Sequence, residues 1–275
     1  MPRQVKPTMS ILDEIIAKRR ERLEEEKLVL PLAELQARLA DQQDRIRNFP
    51  MALRGPKVRV IAEIKRASPS EGELNLLFDP RFLAQDYAGG GAAAISVLTE
   101  RDYFAGEAIH LTRARKYMPL PVLRKDFIVD PYQVYHSRLL GADALLLIAT
   151  VLDAYELQDL LALTHELGMY ALVETHDETD MLQALACGAR VIGINNRDLK
   201  AMQTDLAQTE RLARMVPENR VLVSESGIHG RDDIERVAAA GVDAVLIGTM
   251  LVKSDQPGIM LRQLVEVPAN PSRRT

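Results

Sequence analysis

Residues Gly141–Thr150 read GADALLLIAT. A glycine and a small residue lead into an apolar run too short for a helix, which marks a buried strand. The phrase returns as GGAAAISVLTE (Gly90–Glu100), GARVIGINN (Gly188–Asn196) and GVDAVLIGT (Gly241–Thr249). A period of roughly 50 residues is typical of repeated supersecondary units. Four more apolar strands lie between these: VRVIAEIK (Val58–Lys65), PVLRKDF (Pro121–Phe127), MYALVET (Met169–Thr175) and RVLVSES (Arg220–Ser226). That makes eight.

Six joining segments read as helices: PRFLAQDYAGG, DPYQVYHSRLLG, DAYELQDLLALTHELG, DETDMLQALACG, TDLAQTERLARMV and GRDDIERVAAAG. Several open on Asp or Thr, which cap a helix, and end on Gly, which takes the left-handed position beyond it. Strand and helix alternating eight times imply parallel strands joined by right-handed crossovers. The expected fold is α/β, a (β/α)8 TIM barrel with an N-terminal helical extension. A doubly wound open sheet is the rival, but no GxGxxG follows the first strand to support its dinucleotide-binding form.

The barrel is expected over residues 55–265. Residues 1–54 stand outside the alternation. Ile11, Leu12, Ile15, Ile16 and Leu23 form a broken apolar stripe on a charged helix, and Leu32, Leu35 and Leu39 start a second helix after Pro31. These helices are expected to pack on the barrel, with a partial lid or an oligomer contact as the alternative. Residues 266–275 are expected to be a frayed tail.

The charge balance is 35 Lys and Arg against 39 Asp and Glu, a net −4, which gives no electrostatic support to a nucleic-acid or membrane partner. The longest apolar run, Ala144–Leu152, is too short to span a bilayer, and the N-terminus lacks a secretory core. A soluble protein is expected. The lone Cys187 excludes an intrachain disulfide and fits a reducing cytoplasm. His110, His136, His165, His176 and His229 show no paired spacing for a metal, so none is expected.

Function on a barrel gathers at the C-terminal strand ends. Alternation places Glu63 and Lys65, Lys125, Glu174, Asn195 and Glu225 inward at those ends, above apolar Ile61, Leu123, Leu172, Val223 and Leu246. Leu98, Ile148, Asn195 and Gly248 end the even strands. Buried charge is too costly to collect without partners or purpose, so this rim reads as a catalytic mouth. Glycines at Gly227 and Gly248, after the last two strands, read as a phosphate cradle.

These motifs resemble the indole-3-glycerol-phosphate synthase family: IAEIKRASPS, SVLTERDYFAG, PVLRKDFIVDPYQVY, GADALLLIA, LVETHD, GINNRDL, SESGI and IGTMLV, over about Ser10 to Lys253. The resemblance implies closure of a pyrrole ring. In that reaction 1-(2-carboxyphenylamino)-1-deoxyribulose 5-phosphate loses carbon dioxide and water to give indole-3-glycerol phosphate in tryptophan biosynthesis. It implies Lys125 as general acid on the ketone oxygen, and Glu174 acting in the later loss of hydroxide and proton. Glu63 would orient them and face Lys125 and Glu174. Lys65 would meet the substrate's anionic groups, with Ser68, Asn195, Arg197, Glu225 and Ser226 completing the pocket. Gly227, Gly248 and Thr249 would hold the phosphate, and Leu98, Phe104, Phe127 and Leu146 the aromatic ring. No cofactor is implied, the partner is a small phosphorylated molecule, and a cytoplasmic monomer is expected with a weak dimer as the alternative. Glu71, Glu107 and Ala201-Met202 depart from the family's usual loop residues.

Three other readings compete. A strand-end lysine could form a Schiff base, but that needs a depressed pKa, and neighbouring carboxylates push the other way. The related isomerase barrel of the same pathway normally uses a cysteine, and none stands at a strand end here. A non-catalytic phosphate-binding scaffold should have lost rim residues, and none is lost.

Overall fold

The computed structural model describes residues 10–69, 71–74, 78–198 and 203–270. Its centre is a closed barrel of eight parallel strands: β1 (Arg59–Ile64), β2 (Ala94–Leu98), β3 (Val122–Lys125), β4 (Ala144–Ile148), β5 (Tyr170–Thr175), β6 (Val191–Asn195), β7 (Val221–Glu225) and β8 (Ala244–Ile247). Each pairs with its neighbours in sequence, and β1 closes on β8 through Ile61 opposite Leu246. Every expected strand is present. The rival open sheet is excluded by that closure.

Helices precede and separate the strands: α1 (Ile11–Val29), α2 (Leu32–Ala40), α3 (Phe49–Ala52), α4 (Pro80–Gly89), α5 (Ala108–Lys116), α6 (Pro131–Leu140), α7 (Ala154–Glu166), α8 (Glu178–Ala186), α9 (Ala207–Leu212), α10 (Arg231–Ala239), α11 (Thr249–Val252) and α12 (Pro257–Leu264). Asp79, Asp130, Asp153 and Asp177 cap α4, α6, α7 and α8 through backbone N–H groups. Left-handed glycines turn the chain into the even strands at Gly91, Gly141, Gly188 and Gly241. Helix α5 is not among the six helices expected from the sequence. Only Leu111, Ala114 and a buried His110 carry its inner face, too short a stripe to stand out among its basic residues.

Two apolar layers result. Outward residues such as Val60, Ile95, Leu145 and Ile192 pack under the helices. Inward residues Ile61, Ala94, Leu123, Ala144, Leu146, Leu172, Val191, Val223 and Leu246 fill the barrel. Phe49 and Leu53, both fully buried, join the inner cluster beside Val191, Val221 and Ala244 at the strand starts. The short α3 is therefore a plug in the barrel's N-terminal end, a role its sequence did not announce.

The end of the chain also differs from expectation. Val58 N–H donates to Val267 O, Ala269 N–H donates to Pro56 O, and Val267 is buried. The segment expected to fray from residue 266 is thus paired as far as Ala269, because its apolar side chains cover the entry to β1. No helix among the described residues is long and apolar enough to cross a membrane.

Phe49→Ala should open a void at the barrel floor and cost about 3–5 kcal/mol in urea unfolding, with the site at the opposite end still formed.

Candidate active site

The inward face of each odd strand repeats one step: an apolar residue, then a charged one two positions on. Ile61 leads to Glu63, Leu123 to Lys125, Leu172 to Glu174 and Val223 to Glu225. These four form the top layer of the barrel interior. Lys125 Nζ lies 2.7 Å from Glu225 Oε2 and 3.2 Å from Glu174 Oε2. Asn195 Nδ2 donates to Glu174 Oε1 at 3.2 Å. Glu63, Glu174 and Glu225 are all buried.

Even strands make room for this layer. A side chain on Gly193 would collide with Glu225 Oε1, and one on Gly248 with Glu63 Oε1. Gly248, expected only as a phosphate contact, is thus first a space for a carboxylate.

Burial opposes the Lys125 charge, but Glu225, Glu174 and Glu63 outweigh it and raise the pKa well above the ordinary lysine value. For Glu174, burial is outweighed by Lys125 and His176, and its pKa is lowered. Glu225 goes the other way. Burial and the neighbouring Glu174 charge prevail over Lys125 and push it up to about 7. One ammonium holds one of these two carboxylates ionised more firmly than the other.

Lys65 stands one residue past β1, with Nζ 3.1 Å from Glu63 Oε1 and donating to Thr249 Oγ1 at 3.1 Å. The division expected for this pair, Glu63 toward Lys125 and Lys65 toward ligand, is therefore not the arrangement here. Glu63 bonds Lys65 directly and reaches Lys125 only through its field.

A cavity of about 620 Å³ opens above this layer, within the size range of small-molecule sites. Glu63, Lys65, Ser68, Leu98, Phe104, Lys125, Phe127, Leu146, Glu174, Asn195, Arg197, Glu225, Ser226, Gly227, Gly248 and Thr249 all line it. The structure thus brings every residue singled out from the sequence to one space. Phe104 and Phe127 meet at 6.3 Å between ring centres, and Ser68 Oγ is buried without a hydrogen-bond partner among the described residues. Ser226 takes a left-handed φ of 65° and Gly227 one of 81°. Two successive left-handed residues turn the backbone sharply at the end of β7, and strain of this kind in a non-glycine residue is typical of functional sites.

The apolar stripe of α1, expected to pack on the barrel with a partial lid or an oligomer contact as the alternative, also builds the site, together with residues that the sequence did not single out. Ile11, Leu12 and Ile15 of α1 line the cavity. The helix is tied down by Arg19, whose Nε donates to Asp126 Oδ1 at 3.2 Å. Asp126 also accepts from Arg124 Nη2 and Thr99 Oγ1, each at 2.7 Å. Burial would raise the Asp126 pKa, but Arg124 and Arg19 outweigh it and keep it low. Glu100, itself buried, accepts backbone N–H groups of Asp102, Tyr103 and Phe104 and so holds the Phe104 loop. Asn196 Nδ2 donates to Ser224 Oγ, Glu225 O and Ser226 O, fixing the turn after β7. Thr99, Glu100, Arg124, Asp126 and Asn196 face outward from the barrel or lie beyond a strand, where alternation gave no reason to select them.

The loop departures take distinct places. Glu71 pairs with Lys253 at 2.5 Å across the cavity edge, and that contact lowers its pKa against a smaller effect of burial. The Glu107 N–H donates to His110 Nδ1 at the start of α5, and Glu107 is not among the cavity residues. Ala201-Met202 lie outside the described residues.

The model of the indole-3-glycerol phosphate synthase family matches residues 12–264. An indole-3-glycerol phosphate synthase of Dehalococcoides mccartyi (strain CBDB1) is 48% identical over 258 residues, 93% of this chain and 100% of that one. One from Acidithiobacillus ferrooxidans (strain ATCC 53993 / BNL-5-31) is 47% identical, covering 92% of this chain and 98% of its own. Among solved structures, 3-hexulose-6-phosphate synthase from Salmonella typhimurium aligns with a TM-score of 0.63 at 15% identity, over 76% of this chain and 97% of that one. Thiamine phosphate pyrophosphorylase from Pyrococcus furiosus aligns with a TM-score of 0.59 at 14% identity, over 79% of this chain and 96% of its own. Both share the barrel alone. Matched along nearly all of its length, the chain belongs to the indole-3-glycerol phosphate synthase family.

Proposed function

We infer that this chain is a decarboxylating carbon–carbon lyase of tryptophan biosynthesis. It closes the pyrrole ring of 1-(2-carboxyphenylamino)-1-deoxyribulose 5-phosphate to give indole-3-glycerol phosphate, with loss of carbon dioxide and water. The observation that carries the reading is Lys125, an ammonium clamped between Glu225 and Glu174 on the floor of a cavity lined both by Lys65, Arg197 and the Gly227 and Gly248 turns and by Leu98, Phe104, Phe127 and Leu146.

The roles follow from what each group offers. Lys125 is the proton donor held under the ketone oxygen, where alkoxide charge develops as the aryl carbon attacks. Its raised pKa keeps it protonated and argues against a Schiff-base role, which needs the free amine. Glu174 works afterwards, protonating the departing hydroxyl and taking the ring proton. Glu63 orients Lys65, and Lys65 reaches the substrate's anionic groups. Gly227, Gly248 and Thr249 offer backbone N–H groups to the phosphate, with Ser68, Asn195, Arg197 and Ser226 around it and Glu225 holding Lys125. Leu98, Leu146, Phe104 and Phe127 form the bed for the aryl ring. The small phosphorylated substrate is the only partner this reading requires. The lone Cys187 fits a reducing cytoplasm, and a monomer is kept as the expected state.

Incubation with the carboxyphenylamino-deoxyribulose phosphate, followed by indole fluorescence, should give a signal from wild-type protein. Silence from folded protein would overturn the reading. Lys125→Ala and Glu174→Gln should each lose roughly 10²–10⁴-fold or more in kcat, the range of a positioned acid or base.

Glu225 yields a separate test on stability. Its folded pKa lies above the unfolded one, so the folded state holds the extra proton and loses stability as pH rises from about 4.5 through about 7. Glu225→Gln should therefore resist urea better than wild type above pH 7 while losing activity, and equal resistance at pH 8 would contradict the assignment.

A further inference from the structure

Beside Glu174, and not among the residues that line the cavity, stands a histidine that no role above uses. His176 follows the last residue of β5, and its Nε2 is buried, has no hydrogen-bond partner among the described residues, and lies 3.5 Å from Glu174 Oε1. Its Nδ1 is 3.0 Å from Thr150 Oγ1. Thr150 is exposed and donates to Asp180 Oδ2 at 2.5 Å. Asp180 also accepts the His176 backbone N–H at 2.9 Å. Since the Thr150 hydrogen is committed to Asp180, Nδ1 must be the donor to Thr150. Nε2 is then the nitrogen that gains or loses a proton toward Glu174.

The reaction creates a need for that proton. The substrate carboxylate leaves as neutral carbon dioxide and the hydroxyl leaves as water, so each turnover consumes one proton. Lys125 gives one to the ketone oxygen and recovers one later, when Glu174 passes on the proton taken from the ring. The departing hydroxyl needs another, at a stage when substrate fills the cavity and separates Glu174 from water on that side.

We propose that His176 is a stored proton for this step, a positioning residue that acts through Glu174. The imidazolium gives its Nε2 proton to Glu174 Oε1, leaving neutral imidazole and a carboxylic acid. Glu174 gives that proton to the departing hydroxyl, forming water, then takes the ring proton and returns it to Lys125. His176 regains its proton from solvent once product leaves. The proposal rests on the role given to Glu174.

The surroundings favour the charged imidazole. Glu174 from β5, Glu225 from β7 and Asp180 from α8 face it, and Lys125 of β3 lies beyond Glu174. Burial lowers the His176 pKa, but Asp180, Glu174 and Glu225 outweigh it and raise it above the ordinary value.

The test compares His176→Gln and His176→Ala with wild type and Glu174→Gln in the same fluorescence assay. His176→Gln should lose roughly 10²-fold in kcat, the lower end for a positioned proton donor, with KM unchanged. The wild-type fall in kcat as His176 deprotonates at rising pH should be absent from this variant. In His176→Ala, kcat should climb with added imidazole. Wild-type kcat in His176→Gln, an unchanged alkaline limb, a loss seen only in KM, or no response to imidazole in an active His176→Ala would each overturn the proposal. The parent reading fails differently: an active Glu174→Gln removes the role of Glu174 itself. An inactive Glu174→Gln beside a wild-type-like His176→Gln removes only the stored proton.

Discussion

One ammonium held between two carboxylates, with a third carboxylate paired to Lys65 beside it, is the constraint on which the rest of the site depends. An uncompensated buried charge costs several kcal/mol, so Lys125 needs carboxylates placed beside it, and Glu174 and Glu225 supply them. Barrel geometry supplies the placement, because alternate strands contribute alternate layers of the interior. Odd strands carry the charges, and even strands must yield space beside them. Gly193 under Glu225 and Gly248 under Glu63 are that space. Neither could accept a methyl group without moving a carboxylate.

The two ends of the barrel protect this layer in different ways. At the N-terminal end Phe49 and Leu53 close the floor and join the apolar cluster beneath the charges. At the C-terminal end α1 brings Ile11, Leu12 and Ile15 to the mouth. Fields inside such an enclosure are stronger than in water, which is what proton transfer to a developing alkoxide requires. The mouth helix is tied to the strand that holds the acid. Arg124 and Asp126 point outward on either side of inward Lys125, and Asp126 takes Arg19 from α1. Three consecutive residues thus place the acid, brace its strand and fasten its cover.

Much of this was legible in the sequence because period-2 alternation and the glycine before each even strand are strong signals. They gave the eight strands and the inward charges Glu63, Lys125, Glu174 and Glu225 directly. Alternation is silent about residues that face outward or lie past a strand end. That is why Asn196, Glu100, Asp126 and His176 were not selected, although each holds a backbone turn or a neighbouring side chain. The α3 plug was hidden for another reason. Four residues have no periodicity, and only the closed barrel creates the hole that Phe49 fills. Pairing also lay out of reach: the sequence places Glu63 and Lys65 on one face, but cannot say that Lys65 turns back to Glu63 while Glu225 takes the contact with Lys125.

The carboxylates that keep Lys125 charged also oppose its release of a proton. A general acid works best with a pKa near the working pH, and three negative neighbours hold Lys125 far above it. The tension eases when the groups are treated as one coupled titration. Glu225, raised to about 7, is partly protonated near neutrality, and each carboxylate that takes a proton removes a negative charge from beside the ammonium and makes it a stronger acid. The asymmetry between Glu174 and Glu225 then has a chemical meaning. Glu174, held ionised by Lys125 and His176, stays free to exchange protons with substrate. Glu225, whose Oε1 has no hydrogen-bond partner among the described residues and rests against Gly193, can adjust its own protonation and so set how readily Lys125 gives up its proton.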